Sequence, residues 1–116
     1  MQEIQIWHNP KCSKSRAAMD LLESKNIDAN VVKYLETTPS KEQLINVLKK
    51  LNMKASELLR TGEDIYKELN LNQIEDENEL IDIMVKNPIL IERPIIIRGA
   101  NAVIARPIEN LSELLK

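Results

Sequence analysis

The chain has 116 residues, 43% hydrophobic and 29% charged, with a formal net charge of −2. That length suits one domain with one modest core, and the balance of apolar and charged residues excludes a disordered chain. Apolar runs of only a few residues exclude a membrane span, and the slight negative charge gives no footprint for nucleic acid.

Gln2 and Glu3 open the chain and charged residues recur soon after them, which predicts no signal peptide. Ile4 and Ile6 then alternate with Gln5 and Trp7, the period of a strand. Asn9-Pro10 turns the chain. From Ser13 onward Ala18, Leu21 and Leu22 share one helical face, and Lys25-Asn26 ends the run. Val31, Val32, Tyr34 and Leu35 predict a second strand. The helix between the two strands implies a parallel pair joined by a right-handed crossover.

The middle of the chain is predicted helical. Ser40 with Gln43 is a capping box ahead of Leu44, Val47, Leu48 and Leu51. Residues 56–60 read as a short turn or helix that Gly62 interrupts, and Asp64 to Leu69 as another short helix. Asp76 with Glu79 is a second capping signature, leading into Leu80, Ile81, Met84 and Val85. Asn87-Pro88 stops that helix. Ile95-Ile96-Ile97 and Val103-Ile104, separated by Gly99-Ala100-Asn101, predict a hairpin. Pro107 ends the second of these strands, and Leu111, Leu114 and Leu115 predict a closing helix. The order is β-α-β, three helices, β-β-α, with no internal repeat or linker.

The only cysteine, Cys12, falls where the first strand turns into the first helix. One cysteine cannot make an internal disulfide, and a free thiol suits a reducing cytoplasm. A helix start offers unpaired backbone N–H groups and the positive end of a dipole, both of which favour a thiolate. A free cysteine is commonly a small buried hydrophobe. Here its neighbours are Pro10, Lys11, Ser13, Lys14, Ser15 and Arg16, so no apolar pattern demands burial. Cations are disfavoured in a first helical turn, and their presence points to an anion that occupies the spot. A cysteine-phosphatase loop would need arginine at position 18, which is Ala18, so that class is excluded.

His8, the only histidine, is either a strand-end residue with a satisfied hydrogen bond or a group that tunes the thiol across the turn. Ser15 stands where a second cysteine would complete a C-x-x-C dithiol, so any disulfide chemistry must borrow a thiol from another molecule. Its hydroxyl either bonds the Cys12 sulfur or sits idle in the first turn. Arg93 enters the third strand and Arg106 leaves the fourth, each before a proline. In a hairpin those ends lie side by side, and two guanidiniums there make an oxyanion site. Spacing alone does not say whether that end is also the Cys12 end.

The segment from His8 to Arg16, with Leu58-Leu59-Arg60, Leu90-Ile91-Glu92-Arg93-Pro94-Ile95 and Ala105-Arg106-Pro107, resembles the glutaredoxin-coupled arsenate reductase (ArsC) family across essentially the whole chain. The resemblance implies a thioredoxin-like α/β fold: a four-stranded mixed sheet of order 2-1-3-4, with strand four antiparallel to strand three. It implies a single domain over 1–116 with a helical insertion at about 40–88. It places the nucleophile on Cys12, supported by His8 and Ser15. The oxyanion ligands fall on Arg60, Arg93 and Arg106, and the cis-proline beside the thiol on Pro94. The implied partners are arsenate, glutathione as co-substrate and glutaredoxin, in a cytoplasmic monomer with no metal and no bound cofactor. Trp7 replaces the family's frequent tyrosine, and Arg98 is an extra cation of unknown direction.

Two rival readings use the same scaffold. A general glutathione-dependent thiol oxidoreductase would use Cys12 without needing all three arginines. An Spx-like regulator that binds RNA polymerase would need a C-x-x-C switch, and the Cys12/Ser15 pair cannot form one.

Overall fold

A computed structural model describes residues 3–116; Gln2, on which the reading of the amino terminus partly rests, lies outside the described residues. The elements in chain order are β1 (Ile4–Trp7), α1 (Ser13–Ser24), β2 (Asn30–Val32), α2 (Lys41–Leu51), α3 (Ala55–Leu58), α4 (Asp64–Glu68), α5 (Glu77–Lys86), β3 (Ile95–Arg98), β4 (Asn101–Ile104) and α6 (Glu109–Leu114). Single 3₁₀ turns occupy Leu71–Gln73 and Pro88–Leu90. The described residues form two compact units, one made of the chain up to Thr37 with Arg93–Lys116, the other of Thr38–Glu92.

The first unit holds the sheet, in the order β2-β1-β3-β4. β1 runs parallel to β2 and antiparallel to β3, and β3 and β4 form the hairpin. Strand alternation sends Ile4, Ile6 and Ile96 to one face. There they pack with Ala18 and Leu22 of α1, Ala105, and Leu111 of α6. Burying each large aliphatic side chain stabilises by about 1.5–3 kcal/mol. Ala18, fully buried, lets α1 approach the sheet closely. The α1 helix ends where Asn26 takes a left-handed φ of 57°. The Ile27 amide reaches the Leu22 carbonyl at 3.0 Å and the Asn26 amide reaches Glu23 at 2.9 Å, which satisfies the last carbonyls. The hairpin turn is Gly99–Ala100, with Gly99 at φ 59°, and Asn101 already belongs to β4.

The second predicted strand is shorter than its apolar pattern. Tyr34 and Leu35 lie in a turn whose Glu36 and Thr37 amides both bond the Lys33 carbonyl, at 3.0 and 2.9 Å. β1 turns away after Trp7, so a longer β2 would have no ladder partner. Tyr34 is buried instead by stacking on Trp7, ring centres 6.5 Å apart. Arg98 also acquires a direction: its Nη1 donates to the Leu114 and Lys116 carbonyls at 2.9 and 3.1 Å. It therefore caps the carboxyl end of α6.

The second unit is helical. The Ser40 capping box forms as expected: Gln43 N donates to Ser40 Oγ at 3.1 Å and Ser40 N to Gln43 Oε1 at 2.9 Å. At α5 the Asp76 carboxylate takes the Asn78 amide at 2.9 Å, one position before Glu79. Leu44, Val47 and Leu48 of α2 share a core with Ala55, Leu58, Leu80, Ile81 and Met84. Where three helices were expected, four form. The fourth is α3, in the stretch 56–60 that reads as a short turn or helix.

Candidate functional site

The site in the first unit starts at the carboxyl end of β1, where the His8 amide donates to the Val32 carbonyl at 2.8 Å. Asn9 then organises the loop. Its Oδ1 accepts the Lys11 amide, its carbonyl accepts the Cys12 amide, and its own amide donates to Ser15 Oγ, each at 3.0 Å. A side chain that bonds the backbone two residues on is the turn chemistry asparagine does best. Asn9 is only 6% exposed. Sequence reasoning identifies Asn9-Pro10 as a turn and misses this role; the Asn-x-x-Cys spacing is the available signal.

That loop delivers Cys12 to the N-cap of α1, in extended conformation, with the Arg16 amide on its carbonyl at 3.0 Å. The first turn carries no acidic side chain. Arg16 turns back to the Pro10 carbonyl at 3.0 Å, and Lys11, Lys14 and Arg16 are all exposed. The Ser15 hydroxyl is buried and engaged with His8 Nδ1 at 2.6 Å and with the Asn9 amide. Of the two expected places for it, the sulfur and an idle first turn, it takes neither. It ties the end of the strand to the start of the helix.

Burial, and after it the charges of Lys33 and Arg16, lowers the His8 pKa from the ordinary value of 6.5. The unfolded chain therefore binds this proton more readily than the folded one. The stabilising contribution is complete above pH 6.5 and is lost as the pH falls below it. Thermal melts between about pH 7 and about pH 5 should show the wild type losing stability more steeply than His8→Gln. Parallel curves would contradict this reading of His8.

The hairpin brings two arginines to the same place. The Ala105 amide bonds the Pro94 carbonyl at 3.0 Å, extending the pairing of Ile95 with Ile104. Arg106 Nε then donates to the Arg93 carbonyl at 2.7 Å, and Arg106 Nη2 donates to Cys12 Sγ at 3.5 Å. The hairpin end that carries both arginines is thus the Cys12 end. Arg93 holds its Nε and Nη1 away from solvent. The peptide before Pro94 is cis, and so is the one before Pro107. Asn110, which the sequence reading did not single out, braces this end by donating to the Ile104 and Arg106 carbonyls at 3.0 and 3.3 Å. Cys12 is 6% exposed, with a guanidinium on its sulfur. A cation there stabilises a sulfur anion and any oxyanion bound beside it.

Arg60 belongs to the second unit. Leu59 pairs antiparallel with Ile91, the Arg60 amide bonds the Leu90 carbonyl at 2.8 Å, and the Glu92 amide bonds the Leu58 carbonyl at 3.0 Å. Two of the segments that carry the family resemblance, 58–60 and 90–92, are therefore zipped together. The Arg60 guanidinium pairs with Glu63 at 3.2 Å and with Glu92 at 3.7 Å. Among the described residues, no group of three or more His, Cys, Asp or Glu could hold a metal ion, and no helix is long and apolar enough to cross a membrane.

A thiol at the N-cap of the helix within a parallel β-α-β start, a hairpin on the other side of β1, and a proline at the head of β3 define a thioredoxin-like protein. Within that class the chain belongs to the ArsC family, whose sequence model matches residues 7–114. It is similar to an arsenate reductase of Neisseria meningitidis (serogroup A), 44% identical over 99% of this chain and 100% of the relative. It is also similar to an uncharacterized Escherichia coli K12 protein, YfgD, 45% identical over 98% of each chain. Among solved structures, an arsenate reductase from Vibrio cholerae superposes with a TM-score of 0.93 at 41% identity, over 97% of both chains.

Proposed function

We propose that this protein is an arsenate reductase that works through the single nucleophile Cys12. The observation that carries the reading is the contact between Cys12 Sγ and Arg106, whose other edge is held by the Arg93 carbonyl. The names of its relatives supply the substrate. The Cys12 thiolate attacks arsenic, and one arsenate oxygen leaves as water. Arg60, Arg93 and Arg106 bind the remaining oxygens and offset the developing charge. His8 and Ser15 hold the loop that carries the thiol, and Pro94 lies beside it. Glutathione sulfur then attacks Cys12 sulfur. The S–As electron pair passes to arsenic, taking it from As(V) to As(III), and a Cys12–glutathione disulfide remains. Glutaredoxin thiolate attacks the glutathione sulfur and frees Cys12. Two thiols become one disulfide and arsenic gains two electrons, so the cycle balances. It requires no metal and no bound cofactor. In this reading residues 1–116 act as one cytoplasmic, monomeric domain, with about 40–88 as a helical insertion.

The test is a coupled assay on the whole protein with arsenate, glutathione and glutaredoxin, omitting each in turn. Arsenite formation that requires both thiol components is the expected result. Turnover of a disulfide substrate without arsenate turnover would replace this reading with a general thiol oxidoreductase.

A further inference from the structure

Ser15 joins Asn9 and His8 through one buried hydroxyl. That hydroxyl has a single proton to give. Its oxygen accepts the Asn9 amide at 3.0 Å and lies 2.6 Å from His8 Nδ1. Among the described residues these are the only hydrogen bonds of the hydroxyl. Ser15 is 0% exposed, so bulk water does not take the proton. Two arrangements are open. If Nδ1 carries a proton, in a neutral or a cationic ring, the oxygen accepts two N–H groups. Its own proton is then stranded in the interior, with the desolvation cost of an unpaired donor. If Nδ1 carries none, the hydroxyl donates to it and the chain from Asn9 through Ser15 to His8 is satisfied. The Asn9 amide polarises the hydroxyl in that direction. A neutral ring then holds its one proton on Nε2. Burial and the charges of Lys33 and Arg16 disfavour the cationic ring as well.

We infer that Ser15 is a positioning residue that locks His8 as the neutral Nε2–H tautomer, so that His8 takes no proton from Cys12. The inference rests on the reading of Cys12 as the nucleophile and names how its proton is handled. Nδ1 is occupied by the hydroxyl and Nε2 is already protonated, so the ring has no lone pair for the thiol. The S–H bond breaks with its electron pair on sulfur, and the proton passes to solvent. The charge left on sulfur is met by the Arg106 guanidinium at 3.5 Å. Cys12 and His8 are not a thiolate–imidazolium pair.

His8 is the only histidine, so its ring nitrogens give unambiguous signals in long-range proton–nitrogen correlation spectra of the untagged, isotope-labelled full chain at about pH 7.5. The expected spectrum has a bare Nδ1 and a protonated Nε2, both before and after complete alkylation of Cys12 with iodoacetamide. Ser15→Ala should shift the Nδ1 signal downfield, where a bare nitrogen that has lost its hydrogen-bond donor resonates. A protonated Nδ1 in the wild type overturns the inference. A doubly protonated ring that turns neutral on alkylation does so too, and marks a thiolate–imidazolium pair. An Nδ1 signal that stays in place in folded Ser15→Ala overturns the role of Ser15. The wild-type spectra decide the tautomer whether or not Ser15→Ala folds. Arsenate turnover by the fully alkylated protein separates the two levels. If turnover persists, the reading of Cys12 fails. If turnover is lost while the wild-type Nδ1 is protonated, the tautomer assignment alone is wrong.

Discussion

Cys12→Ser should lower arsenate turnover at least about a thousandfold and leave the fold as stable as before, or more so. The activity loss follows from chemistry: a serine hydroxyl is a far weaker nucleophile than a thiolate, and no second cysteine can replace it. The stability follows from position. Cys12 is the N-cap of α1 and makes no side-chain capping hydrogen bond there. Serine is among the best N-cap residues, and its hydroxyl can accept a first-turn amide for a gain of about 0.5–1 kcal/mol. A chain selected only for stability would carry serine at this site, so cysteine there is a mark of function. Activity assays paired with thermal melts check both halves. Retained turnover would remove the nucleophile assignment. A large fall in melting temperature would show that the sulfur is chiefly packing.

Arg106→Ala should reduce kcat/KM for arsenate by about a hundredfold and slow alkylation of Cys12 by a neutral reagent at neutral pH. Arg106 works with two edges at once, Nε on the Arg93 carbonyl and Nη2 on the sulfur. The fork geometry of a guanidinium makes that bridge possible, and a lysine ammonium cannot reproduce it. Arg106→Lys should therefore restore part of the alkylation rate, which depends on charge near the sulfur. It should restore less of kcat/KM, which depends on placing the substrate oxygens as well. The exposed Arg106 contributes little to the core, so its melting temperature should shift little. If both rates in Arg106→Ala match the wild type, the contact with Cys12 has no catalytic meaning.

Local signals in this chain are legible because they act over three or four residues. The alternation of Ile4 and Ile6, the Ser40 box and the Asn26 stop all report neighbours along the chain, and each appears where expected. The sheet order came from the family resemblance. Three readings fail for a common reason. Tyr34 and Leu35 have the pattern of a strand, but a strand lasts only as long as its partner, and β1 has already turned. The middle counts as three helices when residues 56–60 are taken as a turn, but α3 forms there. The spacing of Ser15 offers only the sulfur or an idle first turn, because its neighbours His8 and Asn9 come close only once the loop has closed.

By itself the sequence determined that a lone thiol would sit at the start of a helix in an α/β fold, and that a hairpin would set Arg93 beside Arg106. The composition of neighbouring residues is enough for that. Only the tertiary structure decided that the arginine end of the hairpin is the cysteine end. That contact joins residues 94 positions apart, and its geometry depends on the register of β3 between β1 and β4. The same holds for the Glu92 carboxylate on Arg60. Glu92 reaches it through a bridge between distant segments, which no local period encodes.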